Sequence, residues 1–386
     1  MLLAVLLCQS TTAIAQPEAE SNNAFALKFF MQWQKQTDKN IVVSPFSISA
    51  ALSMAYPGAR NATATQMQTA LHFHENPEKQ NQAFNTLLDS INAPGSPMVI
   101  ANTIWMQSGF RVERGFVDVN TKNVHLNFHQ VNFAGAPDSI RREINALIDK
   151  QTRNKITNLL PAGSINSLTR LVLTNAIYFK DSWAIGFDPK NTKDRDFFVS
   201  SGKAVKTKFM ELQNVTFNFF ENDVVTVLEL PYRNARFSMF IVLPKSDAAV
   251  FENSFTSASY KSWNLAPGRF RSIQIPRFKI DHEVQPAEIL KHFGMTDAFQ
   301  EGKADFTGIS KEVRLFISGI FHKAFIEVNE EGTEAAAATA AVVQAESAEE
   351  PQKEMDFVAN RPFSFVLRDR ITNSIVFIGK VKDPTQ

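Results

Sequence analysis

Residues 330–350 read EEGTEAAAATAAVVQAESAEE, and no other stretch constrains the fold of this chain as much. The segment follows a run rich in Val, Ile and Phe that ends at Val328, and another such run opens at Phe363. Alanine is the best helix former, so composition alone reads as a helix or an exposed linker. Yet a long low-complexity connection inside a compact domain is uncommon, and is usually functional or disordered. Its parity adds a third reading. Counting by two gives Thr333, Ala335, Ala337, Thr339, Ala341 and Val343, all small or β-branched and none charged; Glu334 lies on the other parity. Alternate residues of a strand face one side. The segment can therefore enter a sheet as an extra strand, with only small side chains against a core. Gly332 supplies a backbone joint just before it.

The surroundings must then supply the sheet. Helical patterns dominate the first part of the chain. Phe25, Phe29 and Trp33 recur at a spacing of four. Ser44-Pro45 is a helix start, with serine as N-cap and proline in the first turn, and Pro57-Gly58 stops that nearly all-apolar helix. Further helices fit 63–71, 78–91 and 138–152. Strand patterns follow at 168–180, 224–230, 237–243, 272–280, 313–328, 363–367 and 374–381. Helices first and strands later, with little βαβ alternation, predict an α+β fold with large mixed or antiparallel sheets. No linker separates domains before residue 330, and 44% hydrophobic residues among 386 suffice for one large core.

The amino terminus reads as a signal peptide. MLLAVLLC is followed by Ala13-Ile14-Ala15, a small-x-small cleavage site, although no Lys or Arg precedes the apolar run. A lipoprotein reading through Cys8 is weaker, since Leu7 stands where a small residue is expected. Cleavage after Ala15 leaves residues 16–386 as one domain, without the single cysteine. No later segment is long and apolar enough to span a bilayer. The expected location is extracellular, or periplasmic in a bacterium, with no membrane partner. Asn61 and Asn214 open N-x-S/T sequons, acceptor sites for N-glycans in a eukaryotic secretory pathway.

Other chemistry is sparse. One cysteine rules out a disulfide framework, a Cys-based zinc site and an iron–sulfur cluster. His72-x-His74 lacks a third metal ligand. Forty basic against 39 acidic residues argue against a nucleic-acid binder. The cluster Arg141, Arg142, Lys150, Arg153 and Lys155 is interrupted by Glu143 and Asp149, which reads as a solvated face rather than a glycosaminoglycan site. No G-x-S-x-G elbow, P-loop or G-x-G-x-x-G is present. Neither an enzyme nor a resident metal or cofactor is expected.

Several motifs in order carry a family resemblance. They are Ser44-Pro45-Phe46-Ser47-Ile48-Ser49, the run from Asn175 through Tyr178-Phe179-Lys180 to Trp183, Phe321-His322-Lys323, the segment from Val328 to Ala340, and Arg361-Pro362-Phe363-Ser364-Phe365 with 374–384. Together they resemble the serpin family over about residues 20–384. The resemblance implies helices with three β-sheets and an exposed reactive-centre loop at about 330–358. It implies a hinge at Glu330, Glu331, Gly332, Thr333, Glu334, Ala335, Ala336, Ala337 and Ala338. Trp183 matches the "breach" where the loop first enters. Ser44, Ser47, Asn175 and His322 match the "shutter", a buried polar network, and Arg277 matches a basic position able to pair with Glu330.

The implied activity is suicide inhibition. A serine (or cysteine) protease attacks the loop, forms an acyl-enzyme, and is carried across the molecule as the cleaved loop inserts into the sheet. Deacylation then fails because the protease's active site is distorted. The inhibitor acts as a monomer and its partner is the trapped protease. Family spacing from Glu330 puts the scissile bond at Glu346-Ser347, with Val343 and Ala345 as alternatives. Counting back from Pro362 lands near Pro351 instead, so the loop is longer than common. Glu346 suits a glutamate-preferring protease, whereas Val342, Val343 and Ala345 suit an elastase-type pocket. The alternative is a non-inhibitory serpin, a carrier or chaperone-like binding module.

Overall fold

The chain's longest strand is the piece of architecture that the sequence pattern conceals. Lys203–Glu221 runs for 19 residues, although Lys206, Lys208, Glu211 and Asn214 interrupt its apolar alternation. The computed structural model describes residues 2–93, 95–121, 127–245, 255–333 and 354–386, with side chains from residue 17 onward. Among these, eight α-helices form: α1 Leu2–Trp33, α2 Pro45–Ala55, α3 Asn61–Leu71, α4 Pro77–Ile91, α5 Arg114–Thr121, α6 Pro137–Gln151, α7 Ser257–Ser262 and α8 Ala287–His292. The strands are β1 Ile41–Val43, β2 Met98–Gln107, β3 Asn127–Val131, β4 Leu171–Phe179, β5 Asp181–Ser182, β6 Lys193–Ser200, β7 Lys203–Glu221 and β8 Val225–Pro231. They continue with β9 Phe237–Pro244, β10 Ala266–Pro276, β11 Phe278–Val284, β12 Ile317–Val328, β13 Gly332–Thr333, β14 Met355–Val358, β15 Phe363–Asp369 and β16 Ile375–Val381.

The α+β class holds, but the expected three sheets appear as two hydrogen-bonded networks. A nine-stranded network runs β1-β16-β15-β9-β8-β7-β10-β14, with β6 also on β7; a seven-stranded sheet runs β3-β2-β4-β12-β13-β5, with β11 also on β12. The shared strand is the reason. Residues 203–209 of β7 pair with β6, 209–219 with β10 and 219–221 with β8, so what would be separate sheets are joined through it. Strand β2 and the β6–β7 hairpin lie outside the strands expected from pattern.

A second correction concerns 272–280, expected as one strand. It is two strands in different sheets: β10 ends at Pro276 and β11 begins at Phe278. Proline cannot donate to a ladder, so pairing stops there. Arg277 is the joint between the sheets, and this places its side chain at the base of the segment that leaves β12.

The seven-stranded sheet is covered on both faces. Strand β4, LVLTNAIYF, is buried at every position. Leu171, Leu173, Ile177 and Phe179 join the main core, which includes Phe46, Ile48 and Leu52 of α2. Val172, Ala176 and Tyr178 join a second core with Ile144 and Ile148 of α6 and Phe321 and Phe325 of β12. Helix α2 starts as its sequence dictates: the Ser44 hydroxyl accepts from the Ser47 N–H at 3.2 Å and Pro45 occupies the first turn.

Candidate functional site

The centre of this sheet contains a parallel junction. β4 and β12 lie side by side and parallel, from Ile317↔Leu171 to Phe325↔Tyr178. Each is antiparallel to its other long neighbour, β2 and β11 respectively. Parallel pairing is slightly the less stable kind. The chain leaves the top of β12, turns at 329–332, and runs back as β13. β13 is antiparallel both to β12 (Val328↔Thr333) and to β5 (Gly332↔Ser182, Thr333↔Asp181). It sits at the upper end of the β4–β12 seam, between the strand that continues β4 and β12 itself.

The turn is tied at several points. Asn329 N–H donates to the Gly332 carbonyl at 3.0 Å, and the Asn329 side-chain oxygen accepts from the Glu331 N–H at 3.0 Å. Trp183 N–H donates to the Glu331 carbonyl at 2.9 Å, and the Trp183 indole N–H to the Asn329 carbonyl at 2.9 Å. The Trp183 ring stacks on Tyr232 at 4.5 Å between centroids. Phe187 N–H reaches the Glu330 carbonyl. Gly332 has φ +153°, and a Cβ there would lie 2.1 Å from the Asp181 carbonyl oxygen. Only glycine fits. Thr333 is wholly buried, with its hydroxyl 2.6 Å from the Tyr232 hydroxyl.

Glu330 is 4% exposed and is held from two sides. Arg277 Nε donates to its Oε1 at 2.8 Å, and the Thr192 hydroxyl donates to the same oxygen. Burial pushes this carboxyl up, but the Arg277 and Thr192 hydrogen bonds, its own N–H and the Arg277 charge together hold it below the ordinary glutamate value.

Lower in the seam lies a buried polar chain. Ser44 N–H donates to His322 Nε2 at 3.1 Å, so Nδ1 carries the ring proton and donates to Asn175 Oδ1. That oxygen also accepts from the Ser47 hydroxyl at 2.6 Å, and Asn175 Nδ2 donates to Asn102 Oδ1. His322 and Asn175 are cross-strand partners on β12 and β4. Their hydrogen bond thus spans the seam. Burial drives the His322 pKa down to about 3, so the ring is neutral.

Of the residues singled out from sequence, Trp183, Glu330, Glu331, Gly332, Thr333 and Arg277 meet at the top of the seam, and Ser44, Ser47, Asn175 and His322 meet in its middle. Glu334 to Ala338, Val343, Ala345 and the Glu346-Ser347 bond lie outside the described residues. Asn61 is exposed, with its amide donating to Asp305 at 2.7 Å; Asn214 is exposed in β7 with φ 52°. Sequence reasoning passed over Asn102, Thr192, Tyr232, Asn329 and Asp181. Asn102 had a readable signal, an amide in the middle of the apolar run MVIANTIWMQ. From Glu354 the described chain becomes β14, a parallel edge strand on β10 held by Arg269–Glu354 and Arg271–Asp356 ion pairs.

Among the described residues no helix is long and apolar enough to cross a membrane. Comparison with known proteins places this geometry among relatives. The family model "Serpin (serine protease inhibitor)" matches residues 20–384. Serpin B6 of Macaca fascicularis is 35% identical over 376 residues, covering 95% of this chain and 99% of that protein. Human Serpin B8 is 36% identical over 375 residues, with the same coverage. Among solved structures, Serpin48 of the insect Tenebrio molitor, described as a highly specific serpin, is similar with a TM-score of 0.85 at 31% identity, covering 95% of this chain and 98% of the other. Human thyroxine-binding globulin, in a complex with thyroxine, is similar with a TM-score of 0.86 at 28% identity, covering 97% of this chain and 100% of the other.

Proposed function

The chain belongs to the serpin family, and from that premise we propose that it is a single-use inhibitor of serine proteases: its loop is cleaved and then becomes the missing strand between β4 and β12. The buried Thr333 carries this reading. A chain that leaves β12 and turns back is antiparallel to β12, and hence also to the parallel β4. It fits the gap with no change of direction. Continued in the register of β13, the inserting strand sets Ala335 between Ile326 and Phe179, and Ala337 between Ala324 and Ile177. Thr339 then lies between His322 and Asn175, and Ala341 between Ile320 and Leu173. All share the parity of Thr333, which faces the core. Entry separates His322 from Asn175, and Thr339 brings a hydroxyl able both to donate and to accept between them. A charge on this face would be buried without a partner, at a cost large enough to stall entry. None occurs through Val343.

The cleaved bond in this reading is Glu346-Ser347, with Val343 and Ala345 as the alternative residues before it, and the target is a glutamate-preferring or elastase-like enzyme. Residues 1–15 act as the export signal and 16–386 as the secreted, monomeric inhibitor. The competing reading is a non-inhibitory carrier, favoured by the likeness to thyroxine-binding globulin.

The test incubates residues 16–386 with an elastase, a glutamyl endopeptidase and a trypsin-like protease. The inhibitor reading expects a complex that survives denaturing electrophoresis, and mass spectrometry of the released C-terminal peptide locates the bond. Cleaved protein should also melt at a markedly higher temperature than intact protein. Cleavage without complex across a broad panel, at an unchanged melting temperature, favours the carrier.

A further inference from the structure

Asp181 faces Thr333 as its direct cross-strand partner at the point where the turned-back chain enters the sheet. Its Oδ1 accepts from the Ser182 N–H at 2.8 Å, while Oδ2 is buried with no well-formed hydrogen bond. A carboxylate oxygen in that position is poorly compensated when charged. We propose that Asp181 makes the seating of Thr333 pH-dependent: the neutral acid favours Thr333 in the sheet, and the carboxylate favours its withdrawal.

Thr333 and Gly332 are the residues that pair with Asp181 and Ser182 along one edge of β5. On this proposal their departure opens Oδ2 to water, and the carboxylate is solvated. When they return, the carboxylate must be desolvated or protonated. Among the described residues, the ionisable groups that act on Asp181 are few. Arg233 and Tyr232, in the turn after β8, act on it, and β13 carries none. Burial and the Asp181 charge hold the Tyr232 phenol far above its ordinary value, so it stays neutral. Glu330 in the adjoining turn is engaged by Arg277. For Asp181 itself, burial raises the pKa most, and the N–H groups of Ser182 and Asn234 and the Arg233 charge pull it only partly back.

The sign follows from linkage. The seated state has the higher pKa and binds more protons, so its advantage is complete below the ordinary carboxylate value of 3.8 and is lost as pH rises through the raised value. Seating therefore weakens from acid toward neutral pH. Asp181 acts here as a positioning residue for the hinge. The effect concerns the intact, protease-free molecule, so it stands or falls separately from the inhibitor reading.

Trp183 is a built-in reporter, since its indole contacts both the turn and Tyr232. The experiment follows tryptophan emission of the intact protein between pH 4 and 8. Trp183→Phe identifies the reporter's share of the signal. Thr333→Arg, which cannot bury its side chain, marks the withdrawn end. The wild type should move toward the Thr333→Arg spectrum as pH rises, with a midpoint above 3.8, and Asp181→Asn should hold the seated spectrum throughout. Equal titration in Asp181→Asn, or a wild-type spectrum that does not change over this range, overturns the proposal.

Discussion

Acidification tests the seam at its most buried point. In the closed sheet His322 is neutral, with its pKa near 3 because the ring is cut off from water. Any state that exposes the ring to water, up to full unfolding, returns it to about 6.5. Between these values the open state binds the extra proton, so falling pH favours opening. The closed state keeps its full advantage above about 6.5 and loses about 1.4 kcal/mol for each unit below it. By pH 5 the loss is about 2 kcal/mol, or about 30-fold in the opening equilibrium. A raw stability curve will not display this, because a second buried group works against it. Glu18, bonded to Gln80, is raised to about 7, chiefly by burial. Its stabilisation is full below the ordinary 4.5 and fades as pH rises through 7, so it grows over the range in which His322 weakens the fold. The assay is therefore a double difference. Urea midpoints are measured at pH 7.5 and 5.0 for the wild type and for His322→Gln, which cannot titrate. Glu18 cancels between the two proteins. The variant should gain about 2 kcal/mol relative to the wild type on acidification, whatever its stability at pH 7.5. Identical pH dependence in the two would refute the neutral, seam-locking histidine.

Two substitutions at the loop base give further outcomes. Gly332→Ala places a Cβ against the Asp181 carbonyl and strains the backbone at φ +153°; β13 should unseat, and titration against a susceptible protease should show more inhibitor consumed per enzyme trapped. An unchanged ratio would separate seating from inhibition. Arg277→Ala leaves the buried Glu330 carboxylate with the Thr192 hydroxyl but no cation. The expected loss is about 1–3 kcal/mol in the denaturant midpoint, recovered in part by adding Glu330→Gln. No recovery would mean that Arg277 contributes through packing rather than charge.

What the sequence disclosed, and what it hid, divides along the range of the interactions involved. The start of α2 was legible because Ser44 caps it through the N–H of Ser47, three residues on, and Pro45 fixes its own φ. The parity of 333–343 was legible because a strand repeats every two residues. The shared strand β7 was not, since its charged residues belong to ion pairs with β6, such as Lys206–Asp196 and Lys208–Asp194, that no local pattern announces. Arg277 shows the same limit from the other side. As one residue of an apparent single strand it gave no local reason to reach Glu330, 53 positions away, and only the family resemblance paired the two. It does so because Pro276 ends one ladder and Phe278 begins another in a different sheet, leaving 277 as a joint that points at the loop base. Asp181 was passed over because its importance is wholly non-local. A carboxylate after a strand is unremarkable until a returning chain pairs with it across the sheet. On the proposed mechanism, the residues that govern loop entry are thus those whose partners arrive from far along the chain. Substitutions at Arg277 and Asp181 should accordingly alter loop entry while leaving the strands that carry them intact.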